Sequence, residues 1–390
     1  MSSLLVTNIG ELVTNSSECG PTPLGIIRDA AILVENEHIA WVGRAIDAQS
    51  ISADARVDAQ DAAVIPGFVD SHAHLIFAGD RADEFEARMS GAAYTAGGIK
   101  STIAATRTAT DDELRTNLRR LIHEANSSGT TTIECKSGYG LTVLDETRSL
   151  KIAQEVTSET TYLGAHIVPA EFSERRDEYV SLVVGEMLDA CAPYAKWIDV
   201  FCDRGAFDPE STRRILKAGI AKGLLPRIHA NQLEQGKGVQ IAVEFDAASA
   251  DHCTHLSQAD VDALASSDTV ATLLPGAEFS TRSVYPNARA LIDAGAMVAI
   301  ATDCNPGSSY TTNMPICIAL AVREMHMTPA EALAAATLGG AKAIRREDIG
   351  RLTPGTRADF VLLNAPTYLH LAYRPGVNLI SRVFISKGKS

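Results

Sequence analysis

The chain lacks paired cysteines. Its seven, Cys19, Cys135, Cys191, Cys202, Cys253, Cys304 and Cys317, are odd in number, scattered, and never spaced Cys-x-x-Cys. That excludes a disulfide framework and a structural zinc knuckle. An excess of positive charge is also missing: 35 Lys and Arg stand against 48 Asp and Glu, a net charge of −13. Nucleic acid and anionic membrane are therefore not expected as partners, and an anionic ligand would need positive charge placed locally. No apolar stretch reaches membrane-spanning length. No basic segment followed by an apolar core opens the sequence, so no signal peptide is expected and a reducing cytoplasm is the default. There is no Gly-x-Gly-x-x-Gly, no internal repeat and no low-complexity segment, which leaves a dinucleotide fold unsupported.

What is present is a globular composition, with 46% hydrophobic and 21% charged residues over 390 positions. That length suits one large domain plus a smaller one. Short β-like runs at Ser3–Asn8, Ala30–Glu35 and Ile39–Gly43 are separated by turn residues. Similar runs return at Asp359–Asn364 and Arg382–Ser386. Between them the rhythm changes to apolar strand, polar tip, then helix. Strand-like runs fall at Val64–His74, Thr130–Lys136, Thr161–His166, Trp197–Asp203, Leu224–His229, Ala247–His252, Val270–Pro275 and Met297–Asp303. Helical patterns fill most gaps: Asp111–Asn126 puts Leu114, Leu118, Leu121 and Ile122 on one face, and Thr328-Pro-Ala-Glu331 is a capping box with Pro at the first helical position. Eight strands alternating with helices predict a (β/α)₈ barrel, with a doubly wound open sheet as the rival.

The first of these runs ends in His72-Ala-His74. On extended backbone two residues apart share a face, and imidazole is a common ligand for borderline metals. Taken alone, the pair suits core packing as well as a metal. The other strand ends tip the balance. In a barrel, chemistry gathers at the C-terminal ends of the strands. Those ends carry Glu134–Lys136, His166, Cys202-Asp203, His229, Asp251-His252 and Asp303, with His255 nearby. Six of the ten histidines lie at or just past them, where chance would scatter them.

The simplest closed site takes His72, His74, His229 and Asp303 as ligands to one divalent ion, zinc or iron. An open position on such an ion lowers the pKa of a water toward about 7. Asp303 can reach metal and water and serve as general base, although Asp303-Cys-Asn-Pro-Gly-Ser-Ser309 also reads as turn chemistry. His166 and His252 could polarise a carbonyl or stabilise an oxyanion, while His255 suits the surface.

At these residues the chain resembles the amidohydrolase superfamily, through Pro66-Gly-Phe-Val-Asp-Ser-His-Ala-His74. The resemblance runs nearly the full length. It implies a small β-sandwich domain from residues 1–60 and 350–390 around a barrel over residues 61–349. The runs His74–Phe85, Glu134–Leu141, Leu163–His166, Ser249–His252, Leu273–Ala277 and Ala301–Ser309 are similar to the branch that opens the lactam ring of 4-imidazolone-5-propanoate. That likeness implies hydrolysis to N-formimidoyl-L-glutamate in histidine breakdown, and a homodimer only as a family trait. It implies a pocket of Arg81, Tyr139, His166, Gln232, Asn305, Gly307 and Ser308 for a small anionic heterocycle. Arg81 offers a planar fork for the propionate, with an ion pair to Asp83 or Glu84 as the alternative. Gln232 would orient the ring, His252 would stabilise the oxyanion, and Asp303 would move the proton.

Two other activities and one inert reading compete. Nucleobase deaminases of the superfamily place a glutamate three residues after the strand-five histidine; here that residue is Gln232, which cannot shuttle a proton, while Glu234 is less directly placed. Two-metal members need a lysine on strand four, which ends here in Cys202-Asp203; Lys136 lies on strand two. One metal per chain is therefore expected. A barrel acting only as a scaffold is disfavoured because all four ligands are kept.

Overall fold

The computed structural model describes residues 3–91 and 98–386. Both chain ends build one sheet. Its strands are Ser3–Leu12, Ile27–Glu35, His38–Arg44, Ala55–Asp58, Ala63–Pro66, Phe360–Leu363 and Ile380–Phe384. The long first strand is its axis. It pairs antiparallel with Ile27–Glu35, and its two halves pair in parallel with Ala55–Asp58 and then Ala63–Pro66. Val6, Ile9, Leu12, Ile32, Val64 and Phe360 form the core of one face, while Leu5, Ala31 and Ala48 are buried on the other. This sheet takes in Ala63–Pro66, beyond residue 60.

The predicted run Val64–His74 is not one strand. Ala63–Pro66 pairs with Phe360–Leu362 of the terminal sheet, and Phe68–Asp70 then pairs with Thr130–Ile133. The break falls at Gly67, where a Cβ would lie 2.2 Å from the Thr131 hydroxyl, so only glycine lets the chain cross between sheets there. His72 and His74 consequently stand just beyond a strand of three residues.

The barrel strands follow as Phe68–Asp70, Thr130–Lys136 (interrupted at Glu134), Thr160–Ala165, Trp197–Cys202, Leu225–Ala230, Ser249–His252, Val270–Leu273 and Val298–Ile300. Seven form one parallel ladder from Cys135–Lys136 to Val298–Ile300, and the first strand joins through Thr130–Ile133. The seam between eighth and first strands closes beyond their ends. Asp303 N–H donates to His72 O at 3.0 Å, and His74 N–H to Cys304 O at 2.9 Å. Two segments bearing candidate metal ligands are thus zipped together by backbone.

The helices form where the sequence signals them. Asp111–Ser127 starts from a Thr110/Glu113 capping box and buries Leu114, Leu118 and Leu121. Pro329–Ala334 starts from Thr328 and Glu331 and passes through a π-helical turn, Ala335–Gly339, into Gly340–Ala343. Gly339 and Gly340 press on the closing seam, where Cβ atoms would lie 2.2 Å from Val298 O and 2.3 Å from Val69 O. All seven cysteines are free. Among the described residues no helix is long and apolar enough to cross a membrane.

Candidate active site

Three imidazole nitrogens and one carboxylate oxygen converge at the mouth of the barrel. His72 Nε2 lies 3.2 Å from His74 Nε2, which lies 3.3 Å from His229 Nε2. Asp303 Oδ1 is 3.5 Å from both His72 Nε2 and His74 Nε2. Ligands about 2.0–2.1 Å from a tetrahedral ion stand about 3.3–3.4 Å from one another. The spacing within His72, His74 and Asp303 fits a divalent metal, with His229 Nε2 beside His74; His72 and His229 also cluster with His252.

The tautomers agree. His72 Nδ1 is 2.7 Å from Asp251 Oδ2, and a carboxylate there holds the proton on Nδ1, leaving the Nε2 lone pair to face the site. His229 Nδ1 lies 3.0 Å from Asp199 Oδ2, close but off the hydrogen-bond line. Burial pushes His72, His74 and His252 well below the usual imidazole range, the neutral form that ligates. Burial, with Glu278 adding to it, drives Asp303 well above the ordinary carboxylate range, a cost that a bound cation offsets.

Backbone strain marks the same places. His252, Cys253 and Asp303 have φ of +76°, +53° and +51°, values few non-glycine residues adopt. Thr302 supports the bend at Asp303, giving its N–H and its hydroxyl to the buried Asp70 carboxylate at 3.0 and 2.5 Å.

Above the ligands lies a small pocket walled by His74, Arg81, Tyr139, His166, His229, Gln232, His252, Asp303, Asn305 and Ser308, closed by Ile99, Ile167 and Phe201. The structure thus brings together the sequence candidates, with two exceptions. His72 sits below the pocket, and Gly307 lines an adjoining outer cavity of about 490 Å³ that shares Arg81 and Ser308.

The details refine individual residues. His166 Nδ1 donates to Gly138 O at 3.0 Å, so Nε2 carries the lone pair, and burial pushes its pKa down to about 3. Its ring stacks on His74, centroids 5.2 Å apart. Arg81 forms the ion pair with Glu84 and not with Asp83: Nε and Nη2 each donate at 2.7 Å. The Asn305 amide is spent on its own turn. Its nitrogen donates to Asp303 O and Ser308 Oγ, and its oxygen accepts from the Gly307 and Ser308 N–H groups. Asn305 shapes the pocket wall by holding that turn. Ser308 Oγ donates to Asp303 Oδ2 at 3.2 Å.

Sequence reasoning placed Glu134, Lys136 and Asp251 at strand ends but missed Asp199, Arg227 and the layer that all five form beneath the site. Asp199, Lys136, Arg227 and Glu134 are fully buried, and with Asp251 they form an ionic lattice under the histidines. The signal was available: charged residues inside otherwise apolar barrel strands have to be paired.

An eight-stranded parallel barrel with three imidazoles and one carboxylate at its mouth is the architecture of the amidohydrolases. The amidohydrolase family model matches residues 206–388. An adenosine deaminase from Xanthomonas campestris with bound zinc superposes with a TM-score of 0.72 at 21% identity, over 99% of this chain and 92% of that one. E. coli guanine deaminase gives 0.72 at 16% identity, over 99% and 98%. Sequence relatives are far nearer. The imidazolonepropionase of Salinispora tropica is 66% identical over 385 residues, 98% of this chain and 97% of that protein. That of Mycolicibacterium smegmatis is 63% identical, over 98% and 96%. The chain belongs to the imidazolonepropionase family.

Proposed function

We propose that this chain hydrolyses the lactam C–N bond of 4-imidazolone-5-propanoate to N-formimidoyl-L-glutamate, a step of histidine breakdown. The observation that carries the reading is the convergence of His72, His74, His229 and Asp303 beneath a pocket walled by Arg81, Tyr139, His166 and Gln232. These four residues would hold one divalent ion, zinc or iron, which when bound supplies Lewis acidity and an acidified water.

The chain's own residues do the rest. Asp303 takes the water proton at the carboxylate that Ser308 steadies. It then returns that proton to the ring nitrogen as the C–N bond breaks. His252 donates to the carbonyl oxygen as negative charge develops there. His166, with its lone pair on Nε2, accepts from a ring N–H. Gln232 orients the ring through its amide, and Tyr139 packs against His74 and His166 at the pocket wall. Arg81 receives the propionate. With Gln232 in the place of a proton-shuttling glutamate, hydrolysis is favoured over deamination.

The test is an assay with freshly made imidazolone propionate beside guanine, cytosine and hydantoin. Loss of imidazolone absorbance without ammonia release from the bases is the expected result. Ammonia from guanine or cytosine, with imidazolone untouched, would reverse the assignment.

A further inference from the structure

The lysine on strand two has a place that the reaction scheme does not use. Lys136 is fully buried, and its ammonium stands 2.8 Å from Asp199 Oδ2, 3.1 Å from Glu134 Oε1 and 3.8 Å from Asp251 Oδ2. The two aspartate oxygens are the ones that face ligand imidazoles: Asp199 Oδ2 is 3.0 Å from His229 Nδ1, and Asp251 Oδ2 is 2.7 Å from His72 Nδ1. One cation thus touches both carboxylates that orient two of the three histidines.

The same short segment grips the third histidine through the backbone. Ala73 lies between His72 and His74. Its N–H donates to Glu134 Oε2 at 3.2 Å, and its carbonyl accepts from the Lys136 N–H at 2.9 Å. Glu134 and Lys136 therefore clamp both sides of the residue joining two ligands.

We infer that Lys136 is a positioning residue for the metal site, acting through Asp199 and Asp251 on the orientation of His229 and His72. This rests on the reading that these histidines hold a divalent ion. A buried lysine is costly to desolvate, and an apolar side chain of similar length would pack as well. What the apolar side chain would not do is hold the two carboxylate oxygens in place. The two aspartates are not equally dependent. Asp251 keeps a second cation, Arg227 Nη2 at 3.3 Å, whereas the described ion pairs give Asp199 only Lys136 and His229. The effect of Lys136 should fall chiefly on the Asp199–His229 arm.

The experiment strips the purified full-length protein of metal and titrates it with Zn²⁺ alone against a chromophoric chelator. Partners that orient metal ligands change affinity by about 10–100-fold when removed. Lys136→Met is expected to bind zinc at least about tenfold more weakly than wild type, and Lys136→Arg, which keeps the charge, to recover most of that loss. A lysine that merely fills the core would lower the melting temperature of the metal-free protein and leave zinc affinity within about threefold; that result overturns the proposal. Should Lys136→Met fail to fold, Lys136→Met/Asp199→Asn is compared with Asp199→Asn. Zinc affinities within about threefold of each other are expected, because the lysine acts chiefly through that aspartate. A double variant about tenfold weaker than Asp199→Asn overturns the route. Wild-type protein that binds no zinc would sink the metal reading and this inference together, whereas tight wild-type binding with an indifferent Lys136→Met sinks this inference alone.

Discussion

Ser308 Oγ donates to Asp303 Oδ2 at 3.2 Å, while the other oxygen of the same carboxylate lies 3.5 Å from His72 Nε2 and His74 Nε2. One carboxylate thus faces the ligand cluster with one oxygen and a hydroxyl with the other. Asp303→Asn keeps the shape and an oxygen for the metal but removes the base. Turnover is expected to drop by about 10²–10⁴-fold with metal still bound, since general bases contribute on that scale. Ser308→Ala removes one hydrogen bond and should cost only about tenfold. Steady-state kinetics beside metal analysis checks both; wild-type turnover by metal-loaded Asp303→Asn would end the general-base assignment.

The Arg81–Glu84 pair gives a prediction whose sign discriminates. Glu84 takes Nε and Nη2 of the guanidinium, and glycines crowd it on both sides: a Cβ on Gly98 would lie 2.4 Å from Arg81 Nη2, and one on Gly307 2.1 Å from Nη1. Arg81 is held flat in one orientation. Arg81→Met should raise KM by about 10–100-fold with a smaller change in kcat, the worth of charge-assisted hydrogen bonds to a carboxylate. Glu84→Gln should raise KM about threefold or more because the fork loses its orientation. If Glu84→Gln instead lowers KM, Glu84 competes with the substrate carboxylate for the same fork.

Part of this site was legible because it depends on local spacing. His72 and His74 share a face wherever the backbone is extended, whichever sheet precedes them, and His229, His252 and Asp303 follow apolar runs whose ends are easy to place. The crossing at Gly67 was not legible. Val64–Asp70 is apolar on both sides of it, and the pattern is the same whether a strand pairs with Phe360–Leu362 or with Thr130–Ile133. Pairing partners about 60 and about 300 residues away leave no local mark. The same holds for Lys136, whose partner Asp199 lies 63 residues on. Arg81 was a choice between neighbours, and the structure selects Glu84, one helical turn away, over Asp83.

Metal removal should silence the enzyme and loosen it. Without a cation, ring nitrogens turned toward one another at 3.2 and 3.3 Å and a carboxylate oxygen 3.5 Å away crowd their lone pairs together. Exhaustive chelation should abolish ring opening, and zinc or ferrous iron should restore it at one equivalent per chain. A ligand bound only to the folded state stabilises it by about 4 kcal/mol at a thousandfold excess over Kd. The melting temperature should therefore rise on readdition. Restoration that needs two equivalents would contradict the single site.

Glu278 supplies a prediction about pH. Its carboxyl is buried 2% exposed, accepts one hydrogen bond from Thr254 Oγ1 at 2.8 Å, and leaves Oε2 without a hydrogen-bond partner. Burial pushes its pKa up to about 8, from an ordinary 4.5. Below the ordinary value the group is protonated in folded and unfolded chains alike. As pH rises toward 8 the unfolded chain ionises and the folded one does not, so stability drains away across that window, by up to about 1.4 kcal/mol per pH unit. Glu278→Gln abolishes the ionisation. In metal-free protein its stability advantage over wild type should be small at about pH 5, grow steadily to about pH 8, then level off. Urea midpoints at each pH measure it. A gap that stays constant with pH would mean that the unfolded and folded chains ionise Glu278 alike, and that the buried carboxyl beside Asp303 carries its charge.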